Sequence, residues 1–204
     1  MGRIRIEKNI GGIEGLCVVV PDVHIDERGY FIETYNKKDL ESAGLNAAFV
    51  QDNQSGSKKG VLRGLHFRGK YPEGKLVRVI HGVVFDVAVD LRKDSITYGK
   101  WAGIELTEKN SKQFYIPEGF AHGYLVLSDF AELSYKCTGY YRPEDEKGIA
   151  WNDPSIGIEW PSIVGTYRGT ASPEGYFMED GTAIQLNIRD QNWGLLSKHS
   201  FFLE

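Results

Sequence analysis

His66 and Lys75 are the two side chains in this sequence best suited to move a proton and hold the charge that results. Imidazole titrates nearest neutrality of the side chains, so it suits a general base. An ammonium nearby stabilises the oxyanion that forms when a proton is taken from carbon next to a carbonyl. His66 closes the run Arg63-Gly64-Leu65-His66, and Lys75 heads an apolar run just beyond a glycine-containing turn. Gly60, Gly64, Gly69 and Gly74 permit tight backbone and close approach of a ligand there. A second block, Ile116-Pro117-Glu118-Gly119-Phe120-Ala121-His122-Gly123, follows later in the chain. His24, His81 and His199 have no such company and read as structural or surface residues. On the residues alone, a structural role for His66 stays open beside the catalytic one.

Strands must bring these groups together. Residues 15–20 read as a strand stopped by Pro21-Asp22, and further strands are expected near 49–55, 76–80, 83–91 and 113–116. Within 83–91, alternation puts Asp86, Ala88 and Asp90 on one face and Val87 and Val89 on the other. Residues 124–127 and 133–138 read as one antiparallel pair. A single early helix is expected over 36–43, capped by Asn36, favoured by Asp39 near its start and stopped by Gly44. Many short strands with almost no helical periodicity predict an all-β sandwich or barrel, one domain over 1–204 with no internal repeat. Trp151 and Trp160-Pro161 read as packing anchors, and the Gly-, Ser- and Thr-rich segment 162–182 as an inserted surface loop.

Composition narrows the ligand. At 204 residues and 41% hydrophobic, the chain can bury a full core, and its net charge of −4 argues against a nucleic-acid partner. An anionic small ligand would need a local cluster of arginines. There is no apolar run long enough to cross a bilayer and no signal-peptide pattern, so a cytoplasmic location and no membrane partner are expected. Cys17 and Cys137, far apart and in apolar strands, read as buried thiols rather than a disulfide.

His66-x-Arg68 with Glu73, then Pro117-x-Gly119-x-x-His122, resembles the two motifs of the cupin jelly rolls. That resemblance implies a His-x-His pair, a glutamate and a later histidine as metal ligands in the metal-binding members. Here Arg68 replaces the second histidine, and a guanidinium cannot ligate a cation, so no metal is expected. A metal-dependent cupin oxygenase or isomerase is the alternative to weigh.

A more specific resemblance runs from Asp26 to Pro161. DERGYFIETYN, FVQDNQS, VLRGLHF, GKLVRVI, FDVAVDLRKDS, IPEGFAHGY, YKCTGYYRPEDE and WNDPSIGIEWP, in this order, are similar to the dTDP-4-dehydrorhamnose 3,5-epimerases, metal-free cupins. The resemblance implies a cupin-type jelly roll and proton abstraction at C5 and C3 of a dTDP-4-keto-6-deoxyhexose, with no cofactor. His66 would be the base, Asp190 its partner, Lys75 the enolate stabiliser and Tyr135 the acid on the opposite face. Asp180 is the other candidate partner for His66, because the segment before Arg189-Asp190 is longer than the family pattern; strand geometry suggests Asp86 as an orienter of Lys75. Arg28, Arg63, His122 and Arg189 would surround the pyrophosphate and sugar. Glu33, Gln51, Asp52 and Asn53 would contact the thymidine, Tyr141 would stack on its base, and Glu146 matches a further contact position. The resemblance also implies a homodimer exchanging N-terminal strands, and single-centre epimerases would share the same base and tyrosine. Arg68 stands where the family commonly has glutamine.

Overall fold

The computed structural model describes residues 4–198; His199 and the Phe-rich tail lie outside the described residues. In chain order the strands are β1 (Ile4–Lys8), β2 (Cys17–Pro21), β3 (Val23–Asp26), β4 (Gly29–Ile32) and β5 (Gln51–Lys58). Then come β6 (Leu62–Arg68), β7 (Lys75–His81), β8 (Val83–Asp90), β9 (Trp101–Thr107) and β10 (Gln113–Ile116). The last are β11 (Phe120–Val126), β12 (Phe130–Cys137), β13 (Glu146–Gly148), β14 (Ile163–Val164) and β15 (Phe177–Met178). The helix α1 spans Lys37–Ser42, and Asn36 caps it by accepting from the amides of Lys38 and Asp39.

Two antiparallel sheets face each other: a six-stranded one in the order β1-β2-β10-β7-β12-β5 and a five-stranded one in the order β13-β6-β11-β8-β9. This is the expected jelly-roll sandwich. Between them lies a core of Val77, Val79, Val84, Ala88, Phe114, Val126 and Leu133, among others. α1 and neighbouring residues cover the outer face of the six-stranded sheet through Val19, Leu40, Leu45 and Leu76. The C-terminal segment covers the outer face of the five-stranded sheet, where Trp151, Trp160, Tyr176 and Met178 pack on Leu65, Val87, Val89 and Leu125. β8 is therefore buried on both faces, which accounts for its continuous apolar run.

Two expectations are corrected. Residues 124–127 and 133–138 do not pair: β11 runs between β6 and β8, whereas β12 runs between β7 and β5 in the other sheet. The short link from Val126 to Phe130 is a crossing between sheets, held by Ser128, whose hydroxyl accepts from Val83 N and donates to Phe130 O. The segment 162–182 is no surface decoration either. β14 and β15 pair within it, Ala171, Tyr176 and Met178 are buried, and Trp151 Nε1 donates to Ala171 O at 2.9 Å. Cys17 and Cys137 are free and buried, as expected.

Candidate active site

The phase of β6 sets the site. Leu62, Leu65 and Phe67 all point into the outer core, so strict alternation is broken between Leu62 and Leu65. The break is a bulge: the register with β11 shifts between the pairs His122–His66 and Tyr124–Arg63. Gly64 makes it possible, since a Cβ there would lie 2.6 Å from Gly123 Cα and its φ is 137°. The bulge turns both Arg63 and His66 toward the space between the sheets.

A cavity of about 340 Å³ opens at one end of that space. The five-stranded sheet contributes His66 and Arg68 from β6 and Glu146 from β13. The opposing sheet contributes Gln51 and Asn53 from β5, Lys75 from β7, and Tyr135 and Cys137 from β12. Glu73 and Tyr141 reach in from the loops that follow β6 and β12.

His66 Nε2 lies 2.7 Å from Asp190 Oδ1. Asp190 is fully buried and also accepts from Gly64 N and Trp193 Nε1, each at 3.2 Å. Burial pushes the Asp190 carboxyl up, but the hydrogen bonds from His66 and Gly64 and the charges of His66 and Arg189 outweigh it and hold it below the usual range. An ionised Asp190 accepts a hydrogen bond from Nε2–H, so Nδ1 carries the free lone pair; it lies 4.0 Å from Glu146 Oε1. Asp190, not Asp180, is thus the partner of His66; Asp180 forms a surface ion pair with Lys59. Sequence reasoning missed Trp193 and Gly148. The indole packs where a Cβ on Gly148 would come within 2.4 Å of it, and it stands edge-on to the His66 ring.

Tyr135 faces this dyad from the other sheet. Burial above all, with Cys137, Tyr124 and Glu73 nearby, pushes its phenol up to about 12, so it keeps its proton at neutral pH. Lys75 Nζ stands 3.6 Å from Glu73 Oε1. The expected Asp86–Lys75 pairing is corrected: buried Asp86 accepts from His122 Nε2 at 2.9 Å.

The other binding candidates divide by strand phase. Gln51 and Asn53 face the cavity, while Asp52 between them points outward and pairs with Lys136 at 2.8 Å. Tyr141 donates its hydroxyl to Glu146 Oε2, to which Arg189 is also bound. His122 lies in a small adjoining recess with Phe67, Arg68 and Glu73. Arg63 is held on Ser57 Oγ at 3.0 Å and does not line the cavity. Arg28 and Glu33 lie apart, Arg28 at the β3–β4 turn paired with Asp26 and Glu33 accepting from Asn36. That hairpin exposes Ile25, Tyr30 and Phe31 at 80, 71 and 69%.

The would-be metal positions of a cupin are all engaged by protein groups: His66 by Asp190, Arg68 and Glu73 by each other, His122 by Asp86. Among the described residues, no group of three or more His, Cys, Asp or Glu side chains is placed to hold a metal ion. No helix among them is long and apolar enough to cross a membrane.

The family model described as dTDP-4-dehydrorhamnose 3,5-epimerase matches residues 11–198. A dTDP-4-dehydrorhamnose 3,5-epimerase of Methanothermobacter thermautotrophicus is 48% identical over 203 residues, covering 100% of both chains, so the long C-terminal segment has a counterpart there. The enzyme of the same name from Escherichia coli is 54% identical over 167 residues, 81% of this chain and 88% of its own. The crystal structure of a dTDP-6-deoxy-D-glucose-3,5-epimerase from Legionella pneumophila, in complex with dTDP-4-keto-L-rhamnose, superposes with a TM-score of 0.83 at 42% identity. It covers 96% of this chain and 94% of its own.

Proposed function

This chain belongs to the dTDP-4-dehydrorhamnose 3,5-epimerase family, and from that premise we propose that it inverts C3 and C5 of dTDP-4-dehydro-6-deoxy-D-glucose to give dTDP-4-dehydro-L-rhamnose. One observation carries the reading: His66, backed by Asp190, and Tyr135 line the same cavity from opposite sheets. A planar enolate between them meets a base on one face and an acid on the other. That is the geometry of inversion.

His66 Nδ1 takes the proton alpha to the C4 ketone, and the C–H electron pair moves onto the C4 oxygen. Asp190 stabilises the imidazolium that results, and Lys75 faces the developing oxyanion. Tyr135 then gives its proton to the opposite face of the carbon, and solvent resets both groups before the second centre reacts. The carbon skeleton gains and loses one proton at each centre, with no net change in oxidation level.

Gln51, Asn53, Tyr141 and Glu146 form the wall available to the nucleotide, with Arg63, Arg189 and His122 nearby for the pyrophosphate and sugar. The exposed apolar face of the β3–β4 hairpin supports a homodimer in which this arm crosses to the partner and brings Arg28 and Glu33 to its site. Free buried thiols fit a cytoplasmic enzyme.

The test is proton exchange by NMR. The protein is incubated with dTDP-4-keto-6-deoxyglucose in D2O with EDTA, and the C3 and C5 protons are followed. Loss of both signals with formation of the rhamnose epimer supports the reading, and loss of one alone makes it a single-centre epimerase. No exchange without metal, and turnover on adding metal, overturns the base assignment.

A further inference from the structure

Two of the charged or titratable groups that line the cavity, His66 and Glu146, are spoken for. Asp190 holds His66, and Glu146 is bound by Arg189. Arg68, Glu73 and Lys75 remain, and they form a triad. Glu73 Oε1 lies 3.5 Å from Arg68 Nε and 3.6 Å from Lys75 Nζ. All three side chains are largely withdrawn from water, at 8, 8 and 14% exposure. Two cations thus share one carboxylate, and the triad keeps a surplus of one positive charge.

Arg68 is fixed by contacts that hold its guanidinium beside Glu73. Its Nη1 donates to the Arg142 carbonyl at 2.8 Å, and its guanidinium lies 4.9 Å from the centroid of the Tyr141 ring. A planar, permanently charged group held this way presents its charge at a set place. Lys75 is a compact point charge at the head of β7.

We propose that Arg68 is a positioning residue for the enolate step: by drawing on the Glu73 carboxylate, it leaves the Lys75 ammonium uncompensated and directed at the oxyanion. This rests on the epimerase reading, in which Lys75 faces the C4 oxygen. Without Arg68, Glu73 pairs with Lys75 alone, and the developing enolate meets a neutral ion pair that includes a carboxylate. In a site shielded from water such a change in net charge is felt strongly at a few ångströms. With Arg68 present, the surplus charge of the triad is cancelled as the enolate forms, so the stabilisation falls on the transition state rather than on the bound ketone.

The experiment compares wild type, Arg68→Gln, Arg68→Lys and the double variant Arg68→Gln/Glu73→Gln, reading kcat and KM for dTDP-4-keto-6-deoxyglucose. Arg68→Gln is expected to lower kcat by about tenfold or more with KM within about threefold, since the lost interaction belongs to the transition state. The double variant, in which no carboxylate competes for Lys75, is expected to recover to within about threefold of wild type, and Arg68→Lys to stay well above Arg68→Gln. Packing damage alone is not repaired by a second substitution at Glu73. The proposal is overturned if the double variant is as slow as Arg68→Gln, if the loss falls on KM alone, or if Arg68→Gln matches wild type. Should Arg68→Gln fail to fold, the double variant is compared with wild type, and a kcat more than about tenfold lower overturns the proposal. A wild-type protein that exchanges no substrate proton refutes the epimerase reading itself, a result separate from any of these.

Discussion

Asp190→Asn isolates the tautomer on which the His66 assignment depends. Three donors converge on the Asp190 carboxylate: His66 Nε2 at 2.7 Å and Trp193 Nε1 at 3.2 Å on Oδ1, and Gly64 N at 3.2 Å on Oδ2. A carboxylate accepts them all, but an amide cannot. With its NH2 group toward Gly64, the substituted side chain opposes donor to donor at a buried backbone amide. With the NH2 toward His66, it favours the imidazole with Nδ1 protonated, and the base is lost. Even in the better orientation, the hydrogen bond to a charged group, worth roughly 1.5–3 kcal/mol, becomes a neutral one. The difference is about 1–1.5 kcal/mol, and at about 1.4 kcal/mol per tenfold that alone is roughly one order of magnitude in rate. Adding the tautomer penalty, kcat should fall by about two to four orders of magnitude, the range of a general base. The assay is the C3 and C5 exchange rate in D2O, with dTDP affinity and the melting curve as controls. Affinity is expected to stay within about threefold, because Asp190 lies behind the imidazole and not in the cavity wall. A folded Asp190→Asn protein with kcat within about threefold of wild type would refute the dyad.

Tyr135→Phe should still wash substrate protons into solvent, because His66 can return a deuteron to the face it came from, while epimer formation falls by about two to four orders of magnitude; equal loss of both would sink the opposite-face acid. Met178→Ala, at a site 4% exposed in the core that covers the five-stranded sheet, should cost about 2–5 kcal/mol in urea unfolding and, by loosening the support of Asp190, slow proton exchange and epimer formation together; a cost below about 1 kcal/mol would refute it. Asp90, fully buried, has its carboxyl lowered from 3.8 to about 2: burial pushes it up, but hydrogen bonds from Arg92, Ser95 and Thr97 prevail. Because the folded form has the lower value, its contribution of roughly 2 kcal/mol is present above pH 4 and is lost as pH falls from about 4 through 2. Asp90→Asn should therefore flatten acid unfolding across that window, and an unchanged profile would assign the acid sensitivity elsewhere.

Most of the sandwich was legible because its signals are local. Asn36 and Asp39 mark the start of α1, and the alternation of 83–91 is seen in β8, with Val87 and Val89 in one core and Ala88 in the other. The misreadings share a cause: they concern what a residue meets across the fold. The link of residues 127–129 is as short as a hairpin turn, and nothing in its composition tells a turn from a step between sheets. Asp86 was matched to Lys75 by strand phase, but its partner is fixed by the neighbouring β11, where His122 competes for the carboxylate. The segment 162–182 has the polar, glycine-rich composition of a surface loop, and its anchors Ala171, Tyr176 and Met178 follow no period. The dyad itself joins residues 124 positions apart; only the family resemblance reached it. Trp193, three residues beyond Asp190, offered a signal in its rarity, for a lone indole beside an aspartate at the end of a loop is placed to donate to it.

The cavity lies where the inner faces of the strands change character. Along β12 the inward positions run Ala131, Leu133, Tyr135, Cys137, and along β7 they run Val79, Val77, Lys75, with Leu133 opposite Val79 and Cys137 opposite Lys75. On the facing sheet β11 runs Val126, Tyr124, His122 in the same sense. Each of these strands is thus core at one end and site at the other, so the residues that place Lys75 and Tyr135 are their apolar neighbours two positions away, Val77 and Leu133. The polar end adds little apolar burial between the sheets, and that loss is offset on the outside, where Trp151, Trp160, Tyr176 and Met178 seal the back of the strands bearing His66 and His122. Asp190 and Trp193 arrive with that same C-terminal covering, through the Leu186-to-Leu196 stretch that packs on it. A substitution that loosens the outer core therefore reaches the catalytic dyad by moving Asp190, while one that loosens the inner core moves Lys75 and Tyr135. The two failures separate in the assay: the first slows exchange and epimer formation together, and the second slows epimer formation more than exchange.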